Sequence, residues 1–367
     1  MEKVLDQHIH KVFYDNIVFS LQKAGGVSGV WRELILRIRE RHEFDCSFLE
    51  YHYAKENINR KDFSISDDAL LKTRKIPLIL ERFLNLGLVN SDQFIFHSSY
   101  YRTCRSGNAK NVTTVHDFIH ERFRSGIPLY VNHLQKKKAL LRSDAIICVS
   151  EFTKKDLLHF IPSINEKKVF VVYNGLDATV FKKVEEKKPD ELLPLGNYVI
   201  YVGTRWQAYK NFDSLVNALK DHPDLHLALV GGGNPSISEM KHLNKILDGR
   251  VHYLENVDNH KLNILYNFSF ALAYPSLYEG FGMPIIEAQS AGCPVVATSC
   301  SSIPEIVLDS AILTKVGSVK ELANSLLLLK DDEVRRSYIK KGLANATRFS
   351  WDKMASQVVN IYNAILD

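Results

Sequence analysis

The sequence predicts an α/β protein of two domains, each built on a parallel sheet. Short runs rich in β-branched residues alternate with longer amphipathic segments, which is typical of βα units. The length of 367 residues also exceeds what one hydrophobic core usually supports. A charged segment with two prolines, residues 181–197, divides the runs into two sets and is the predicted linker.

Ten of these runs are predicted to be strands. In the first half they are residues 12–14, 94–97, 112–116, 145–150 and 169–173. In the second half they are residues 198–203, 225–230, 251–254, 270–274 and 293–298. Because open parallel sheets bind ligands beyond the carboxyl ends of their strands, we expect the chemistry in a cleft between the two halves.

Composition excludes several classes of protein. No apolar stretch approaches the roughly 18 to 20 uncharged residues that cross a bilayer, and the start, MEKVLDQHIH, lacks the apolar core of a signal peptide. We therefore expect a soluble, cytoplasmic chain. The five cysteines form an odd set without Cys-x-x-Cys spacing, which indicates free thiols rather than a disulfide framework or a zinc site.

The net charge of +5 is unevenly distributed along the chain. Residues up to Lys183 carry a charge of +8 and the remainder carries −3. With no recognised nucleic-acid-binding motif, the basic half is either a solvated surface or a face that meets anionic lipid or a pyrophosphate-bearing acceptor. The candidate membrane contacts are Lys72, Arg74, Lys75, Lys136, Lys137, Lys138, Arg142, Lys154 and Lys155.

The most informative stretch is FALAYPSLYEGFGMPIIEAQSAGCPVVAT, residues 270–298. A strand is followed by turn-forming residues, Pro284 suits the first position of a helix, and Gly292 suits its C-terminal cap. Gly280 and Gly282 let the backbone approach a ligand closely, and the free amides at a helix start favour an anion. The stretch therefore predicts a diphosphate site.

Two carboxylates flank this predicted helix start. Glu279 precedes the helix and Glu287 lies about one turn inside it, so they could reach different parts of one extended ligand. Glu279 could accept hydrogen bonds from sugar hydroxyls and Glu287 from a ribose. The alternative is one glutamate balanced against the helix dipole and a second that is solvated.

The string VGTRWQAYKNF places two cations in a loop directly after a predicted strand. Arg205 and Lys210 offer a guanidinium fork and a point charge, which together suit a diphosphate. Alone, such a pair would be an ordinary feature of a surface loop. The later string LVGGGNP, residues 229–235, lacks a dinucleotide fingerprint and predicts a tight turn.

Two further signals lie in the first half. The string AGGVSGVW, with Gly25, Gly26 and Gly29, is a glycine-rich strand-to-helix loop that could cradle a phosphate, although on its own it is a weak signal. His116 and Asp117 end the strand VTTVH, where a histidine is more often structural than functional. We expect Asp117 to orient this histidine or to cap the following turn.

Together these segments resemble the GT4 family of retaining glycosyltransferases. The string EGFGMPIIEA resembles the Glu-x7-Glu signature of that family. The other resembling strings, in the family's order, are VFSLQKAGGVSGVWREL, TVHDFIHERF, ICVSEFTKKDL, VVYNGLD, VGTRWQAYKNFDSLVNAL and SIPEIV. The resemblance extends over nearly the full length and is weakest in residues 50–93.

The resemblance implies the GT-B fold, with two Rossmann-like domains whose parallel sheets face each other across a cleft. Residues 1–183 would form the N-terminal, acceptor-side domain, and residues 190–349 the C-terminal domain that binds the nucleotide-sugar donor. A last helix, residues 350–367, would pack back on the first domain, and Ser350 suits its N-terminal cap.

The resemblance also implies the site residues. The catalytic set is His116, Arg205, Lys210 and Glu279. The donor-binding set is Gly25, Gly26, Arg205, Lys210, Val257, Glu279, Gly280, Phe281, Gly282 and Glu287. Among these, His116 would contact the transferred sugar, and the main chain near Val257 would face the base.

Members of this family retain the configuration of the anomeric carbon, and the sequence offers no obvious carboxylate nucleophile for a two-step reaction. By resemblance, a phosphate oxygen of the donor takes the acceptor proton while the diphosphate leaves on the same side of the sugar. No Asp-x-Asp motif stands in a suitable loop, so we expect no metal and no other cofactor.

The strings VGTRWQAYKNF, SLQKAGGVSG and TVHDFIHE most resemble bacterial members that build O-antigen or other surface polysaccharides. We therefore expect transfer of mannose from GDP-mannose to a glycan or a polyprenyl-pyrophosphate-linked oligosaccharide at the inner face of the cytoplasmic membrane. The alternatives are glucosyl or other hexosyl transfer from a UDP-sugar, a GT-B epimerase of nucleotide sugars, and a non-catalytic scaffold that only binds a nucleotide sugar.

Overall fold

The computed structural model describes residues 9–61, 63–185, 189, 191 and 196–367. The chain divides into two compact units. The first unit is the chain up to Gly175 together with Trp351–Asp367, and the second is Leu176–Ser350. The predicted linker, residues 181–197, lies partly outside the described residues.

The first unit is built on a parallel sheet of seven strands. They are β1 (His10–Asp15), β2 (Phe44–Leu49), β3 (Leu70–Leu71), β4 (Phe94–Ser98), β5 (Ala109–Val115), β6 (Ala145–Cys148) and β7 (Val169–Val171). Their order across the sheet is β3-β2-β1-β4-β5-β6-β7. Because the chain runs outward in both directions from β1 and β4, the switch point of this sheet lies between those two strands.

Helices connect the strands of this sheet. They are α1 (Ile17–Leu21), α2 (Gly26–Arg39), α3 (Ile58–Lys61), α4 (Leu78–Glu81), α5 (Ile119–Phe123), α6 (Ile127–Arg142) and α7 (Glu151–Phe160). Val30, Leu34 and Ile38 recur every four residues along α2, which places them on one face, and all three are buried. The glycine-rich loop therefore leads into a helix that packs on the hydrophobic core of the first unit.

The second unit is built on a parallel sheet of six strands. They are β8 (Tyr198–Val202), β9 (His226–Val230), β10 (Val251–Leu254), β11 (Ala271–Tyr274), β12 (Val295–Thr298) and β13 (Ile312–Thr314). Their order is β10-β9-β8-β11-β12-β13, so the switch point lies between β8 and β11. Their side chains are largely buried, as expected for strands covered by helices on both faces.

Seven helices are described in the second unit. They are α8 (Phe212–Leu219), α9 (Ile237–Leu247), α10 (Asn259–Phe268), α11 (Met283–Ser290), α12 (Ile303–Val307), α13 (Val319–Leu328) and α14 (Asp332–Ala346). Helix α11 has its proline in the first turn, and Gly292 follows its end with φ +76°. Both features match the sequence prediction for this helix.

The last helix, α15 (Trp351–Leu366), belongs to the first unit. Arg37 Nε donates to Asp352 Oδ1 at 2.7 Å, and the Tyr362 hydroxyl lies 2.5 Å from His97 Nδ1. Burial lowers the pKa of His97 to about 3, so this contact is made by a neutral imidazole. The helix is therefore attached to α2 and to β4 of the first sheet.

Two parallel sheets with connecting helices, one in each unit, confirm the predicted α/β fold with two domains. In the described part of the chain, no helix is both long enough and apolar enough to cross a membrane. All five cysteines are free, and Cys104, Cys148 and Cys293 are buried.

Candidate functional site

The loops that follow β8 and β11 meet at the switch point of the second sheet. Lys210 ends a short 3₁₀ helix, Ala208–Lys210, after β8, and Glu279 lies in the loop after β11. Their side chains form an ion pair, with Lys210 Nζ 2.7 Å from Glu279 Oε1. The main chain joins the same two loops, because the Leu277 N–H donates to the Tyr209 carbonyl at 2.7 Å. The pair thus stands where parallel sheets bind ligands.

Glu279 is fixed by its surroundings. Its backbone N–H donates to Ser301 Oγ at 2.8 Å, and its carbonyl accepts a hydrogen bond from Ser302 Oγ at 2.9 Å. Tyr274 lies beside the carboxylate, and burial together with that negative charge raises the pKa of Tyr274 well above its ordinary value. The Tyr274 hydroxyl therefore remains protonated and able to donate to Glu279, whose side chain is still 10% exposed.

The start of α11 follows this glutamate. Gly282 has φ +105°, a left-handed conformation in which any L side chain would be strained, and Pro284 lies in the first helical turn. Gly280 precedes it in the same loop. The ring of Phe281 is buried and packs against Phe349 with centroids 5.7 Å apart, so a ligand could use only the main chain of Phe281. The partial positive charge at a helix start favours an anion at this position.

Glu287 lies one turn into α11 and has a different partner. The Tyr266 hydroxyl donates to Glu287 Oε2 at 3.2 Å. Burial raises the pKa of Glu287 to about 7, and the hydrogen bond from Tyr266 opposes that rise in part. The two carboxylates of the signature therefore have separate environments, one beside a cation and one beside a tyrosine.

Arg205 is held by partners that differ from those of Lys210. Its Nε donates to Glu239 Oε1 at 2.7 Å, and its two terminal nitrogens donate to the carbonyls of Gly231 and Gly233 at 2.9 Å each. The side chain is only 2% exposed. The structure therefore places Arg205 in a cage of oxygen atoms, whereas the sequence indicated two cations facing one ligand.

The cage depends on three successive glycines. Gly231, Gly232 and Gly233 all have positive φ, at +73°, +72° and +76°, which confirms the predicted tight turn. A Cβ on Gly232 would lie 2.4 Å from the Gly203 carbonyl oxygen, so no side chain fits there. Sequence reasoning missed that this turn supplies carbonyls to Arg205, and it missed Glu239 and Tyr274 as partners of site residues.

The predicted residues divide between the two units. Gly25, Gly26 and His116 belong to the first, and Arg205, Lys210, Val257, Glu279, Gly280, Phe281, Gly282 and Glu287 belong to the second. Val257 is half-buried and follows the carboxyl end of β10 by three residues. It therefore lies at the same edge of its sheet as the loops that carry Lys210 and Glu279.

The first unit contains a cavity of about 420 Å³ beyond the carboxyl ends of its central strands. Its lining includes Val18, Ser99 and His116, which follow β1, β4 and β5. His116 is at the wall, and burial lowers its pKa to about 4 although Asp117 opposes that change. His116 is thus neutral near pH 7 and can act as a hydrogen-bonding group. Asp117 Oδ1 accepts from the Ile119 N–H at 3.1 Å, which is the predicted turn cap.

The cavity lining holds buried polar atoms that have no hydrogen-bond partner within the described residues. They are Gln22 Oε1, Arg82 Nε and His120 Nδ1. Arg124 and Lys136 also line the cavity. Because a buried polar atom without a partner costs free energy, a polar or anionic ligand would complement this lining.

The prediction that Lys136 faces a membrane is wrong. Helix α6 turns this residue inward, where its side chain is 3% exposed and its Nζ lies 2.9 Å from Glu121 Oε2. The same Nζ also donates to the Asp117 carbonyl at 3.1 Å. Lys136 is therefore an internal ion-pair partner, while Lys138 and Arg142 on the same helix are exposed.

The glycine-rich loop begins α2. Gly25 precedes the helix, and its carbonyl accepts a hydrogen bond from Ser28 Oγ at 2.9 Å. A Cβ on Gly25 would lie 2.6 Å from Gln22 Oε1, whereas a Cβ on Gly26 would meet nothing within 4 Å. Gly26 therefore borders open space that a ligand could enter.

Two family models match the chain. The model described as Glycosyltransferase Family 4 matches residues 24–180, and the model described as Glycosyl transferases group 1 matches residues 182–345. The matches follow the division of the chain into units, since one falls almost entirely in each.

Individual proteins give a consistent comparison. The chain is 27% identical to the O-antigen chain mannosyltransferase B of Escherichia coli, over 93% of this chain and 96% of that protein. It is also 27% identical to the O-antigen chain mannosyltransferase RfbU of Salmonella typhimurium, over 61% of each chain. The solved structure of Anabaena HepE in complex with UDP and glucose matches the fold with a TM-score of 0.73 at 18% identity, over 97% of this chain and all of that one.

Proposed function

Because this chain belongs to the family 4, group 1 glycosyltransferases, as its motifs predicted, we propose that it transfers mannose from GDP-mannose to a surface polysaccharide of the O-antigen type. The choice of sugar is supported by a relative that is named as an O-antigen chain mannosyltransferase and matches almost end to end. The observation that carries the assignment of the donor site is the Lys210–Glu279 pair beside the start of α11.

In this proposal the donor lies on the second unit. The diphosphate binds the amides at the start of α11 and the ammonium of Lys210, which exchanges its carboxylate partner for phosphate oxygens. Glu279 accepts hydrogen bonds from sugar hydroxyls, and Glu287 accepts them from the ribose. Arg205 supplies a second positive charge from its oxygen cage, and the main chain near Val257 faces the base.

The chemical step would proceed with retention. The acceptor oxygen bonds to the anomeric carbon on the face from which the diphosphate leaves, while the bond from that carbon to the diphosphate breaks and a phosphate oxygen of the donor takes the proton of the acceptor hydroxyl. Positive charge from Lys210 and Arg205 stabilises the departing diphosphate, and His116 donates a hydrogen bond to the transferred sugar. We propose that no divalent metal takes part, so transfer should continue in the presence of EDTA.

The acceptor would enter the cavity of the first unit. A glycan or a polyprenyl-pyrophosphate-linked oligosaccharide offers hydroxyl and phosphate oxygens, which suit the unpartnered polar atoms and the cations that line this cavity. An acceptor on a lipid carrier would also bring the enzyme into peripheral contact with the inner face of the cytoplasmic membrane.

A panel of nucleotide sugars tests the donor assignment. The purified chain is heated with GDP-mannose, GDP, UDP-glucose or UDP, and hydrolysis of each sugar nucleotide is followed in parallel. A ligand present at 100 times its dissociation constant stabilises the folded state by about 2.7 kcal/mol. We expect GDP-mannose and GDP to raise the melting temperature, whereas a rise with UDP ligands alone would contradict the mannose assignment.

The second candidate is hexosyl transfer from a UDP-sugar. It is favoured by the fold match to HepE, whose structure contains UDP and glucose. The same panel separates the two candidates. Conversion of the donor sugar without any acceptor would instead favour an epimerase.

A further inference from the structure

The segment through α4 exposes apolar side chains that a folded protein usually buries. The exposed set is Ile76, Ile79, Leu80, Phe83 and Leu84. Ile79 is the most exposed of them, at 70%. Glu81 is the sole acidic residue between positions 70 and 91, and it is buried, accepting from Arg102 Nη2 at 2.6 Å. The exposed surface of this segment is therefore apolar, with basic residues and no carboxylate.

Helix α6 presents a similar surface. Its exposed apolar residues are Tyr130, Val131, Leu134 and Leu141. Because residues three, four and seven positions apart share a helix face, these side chains lie on one side together with Lys138 and Arg142. The opposite side carries Lys136 and Ala139, which are buried. Residues 122–143 contain no aspartate or glutamate.

The two surfaces are neighbours. Gln135 Nε2 donates to the Arg82 carbonyl at 2.5 Å, and Arg82 Nη2 donates to Asn132 Oδ1 at 3.3 Å. The α4 segment therefore lies against α6. Arg82, Asn132 and Lys136 also line the cavity of the first unit, so this surface is built from the same elements as the cavity wall.

We propose that the exposed side chains of residues 72–84 and 122–142 form a basic apolar surface that binds an anionic phospholipid bilayer. This inference deepens the proposed function, since it identifies the surface by which the enzyme reaches a lipid-linked acceptor. Apolar side chains would insert at the level of the headgroups, and the basic side chains would contact lipid phosphates.

The chemistry of the surface favours a bilayer over a protein partner. A large exposed apolar patch marks either a protein or a membrane interaction site. Here the patch is flanked by basic residues that include Lys72, Arg74 and Lys75. Its exposed positions carry no carboxylate, since the acidic residue within it is buried. A uniformly positive rim around apolar side chains matches an anionic lipid surface.

Vesicle co-sedimentation tests the inference without any need for transfer activity. The full chain is mixed with vesicles of phosphatidylglycerol and phosphatidylcholine, or with vesicles of phosphatidylcholine alone, at low and at high salt. We expect the chain to pellet with the anionic vesicles at low salt and to be released in part by high salt, because screening weakens the basic contacts but not the apolar ones.

Two variants remove the two kinds of contact. The apolar variant carries Ile79→Ser, Tyr130→Ser and Leu134→Ser, and its matched control carries Ile237→Ser, Val316→Ser and Leu327→Ser, which are exposed in the second unit. The basic variant carries Lys75→Gln, Lys138→Gln and Arg142→Gln, and its matched control carries Lys220→Gln, Lys241→Gln and Lys245→Gln. We expect the basic variant to partition into the anionic vesicles roughly 100-fold less than the wild type at low salt. Each lysine or arginine near an anionic surface adds a similar amount of binding free energy, and the variant lacks three of them.

The apolar variant should lose the binding that survives high salt, while both controls should pellet like the wild type. A wild-type chain that stays in the supernatant with anionic vesicles at low salt would overturn the inference. Equal pelleting of all variants, or equal loss in the controls, would also overturn it. If the wild type pellets as expected yet transfers no sugar, the membrane surface stands and the proposed activity fails.

Discussion

Lys210 Nζ and Glu279 Oε1 lie 2.7 Å apart across the switch point between β8 and β11. The pair joins two loops that are separated by 69 positions in the sequence. It brings a positive charge beside the start of α11, where an anion is already favoured. We expect a diphosphate that binds there to meet a lysine that is already held beside the site, and its ammonium then exchanges the carboxylate for phosphate oxygens.

Lys210→Ala should lower turnover at least tenfold, which corresponds to about 1.4 kcal/mol of lost transition-state stabilisation. The reason is that the leaving diphosphate loses a preplaced cation. Initial rates of nucleoside diphosphate release measure the effect, with Lys220→Ala as a control on an exposed lysine of the same unit. If purified Lys210→Ala protein turns over at the wild-type rate, Lys210 takes no part in stabilising the leaving diphosphate.

Arg205→Ala should lower both turnover and stability. The rate should fall at least tenfold, and the loss of three hydrogen bonds leaves Glu239 and two glycine carbonyls without their donor. These unpaired acceptors should lower the free energy of unfolding by about 1 to 3 kcal/mol, measured by urea denaturation. Arg205→Lys keeps the positive charge but not the planar guanidinium fork. It should therefore recover only part of the stability that Arg205→Ala loses. Unchanged stability in both variants would show that the cage is dispensable.

Glu287→Ala should weaken binding of the free nucleoside diphosphate, whereas Glu279→Ala should mainly weaken binding of the complete nucleotide sugar. The two residues have separate partners, since Glu287 bonds to Tyr266 and Glu279 pairs with Lys210. Isothermal titration calorimetry with both ligands and both variants measures the split. The same loss for both ligands in both variants would disprove it.

Glu287 should also make stability depend on pH. Its pKa is raised from 4.5 to about 7, so the folded state binds more protons than the unfolded state between those values. The free energy of unfolding therefore falls as pH rises through that window, and it has lost the full contribution of Glu287 above about pH 7. Glu287→Gln should gain on the order of 1 to 3 kcal/mol relative to the wild type between pH 4 and pH 8, measured by urea unfolding. If the difference in unfolding free energy between Glu287→Gln and the wild type does not change with pH in this range, the raised pKa of Glu287 is contradicted.

Local sequence predicted ten of the thirteen strands that the structure describes, because β-branched runs identify buried parallel strands. It missed β2, whose sequence FDCSFL contains no β-branched residue, and it missed β3 and β13, which are two and three residues long. The two-residue β3 forms by pairing with the end of β2, which no local pattern shows.

The sequence indicated candidate positions for the site but not the contacts that their side chains make. Glycines, a helix start and paired charges are local signals, and they indicated Lys210, Glu279 and Gly282. The cage around Arg205 depends on Glu239, 34 positions away, which only the folded chain brings near. Lys136 was misread because α6 buries this lysine while it exposes apolar residues, the reverse of an ordinary surface helix.

The most direct test of the account is transfer itself, followed by mass spectrometry and NMR of the acceptor glycan. The purified chain is incubated with a polyprenyl-pyrophosphate-linked oligosaccharide and either GDP-mannose or UDP-glucose, alongside Lys210→Ala and Glu279→Ala. We predict that the wild type adds one hexose from GDP-mannose, with the anomeric configuration of the donor retained, and that both variants add it at least tenfold more slowly. Addition from UDP-glucose alone, an inverted linkage, or wild-type rates in both variants would contradict the account.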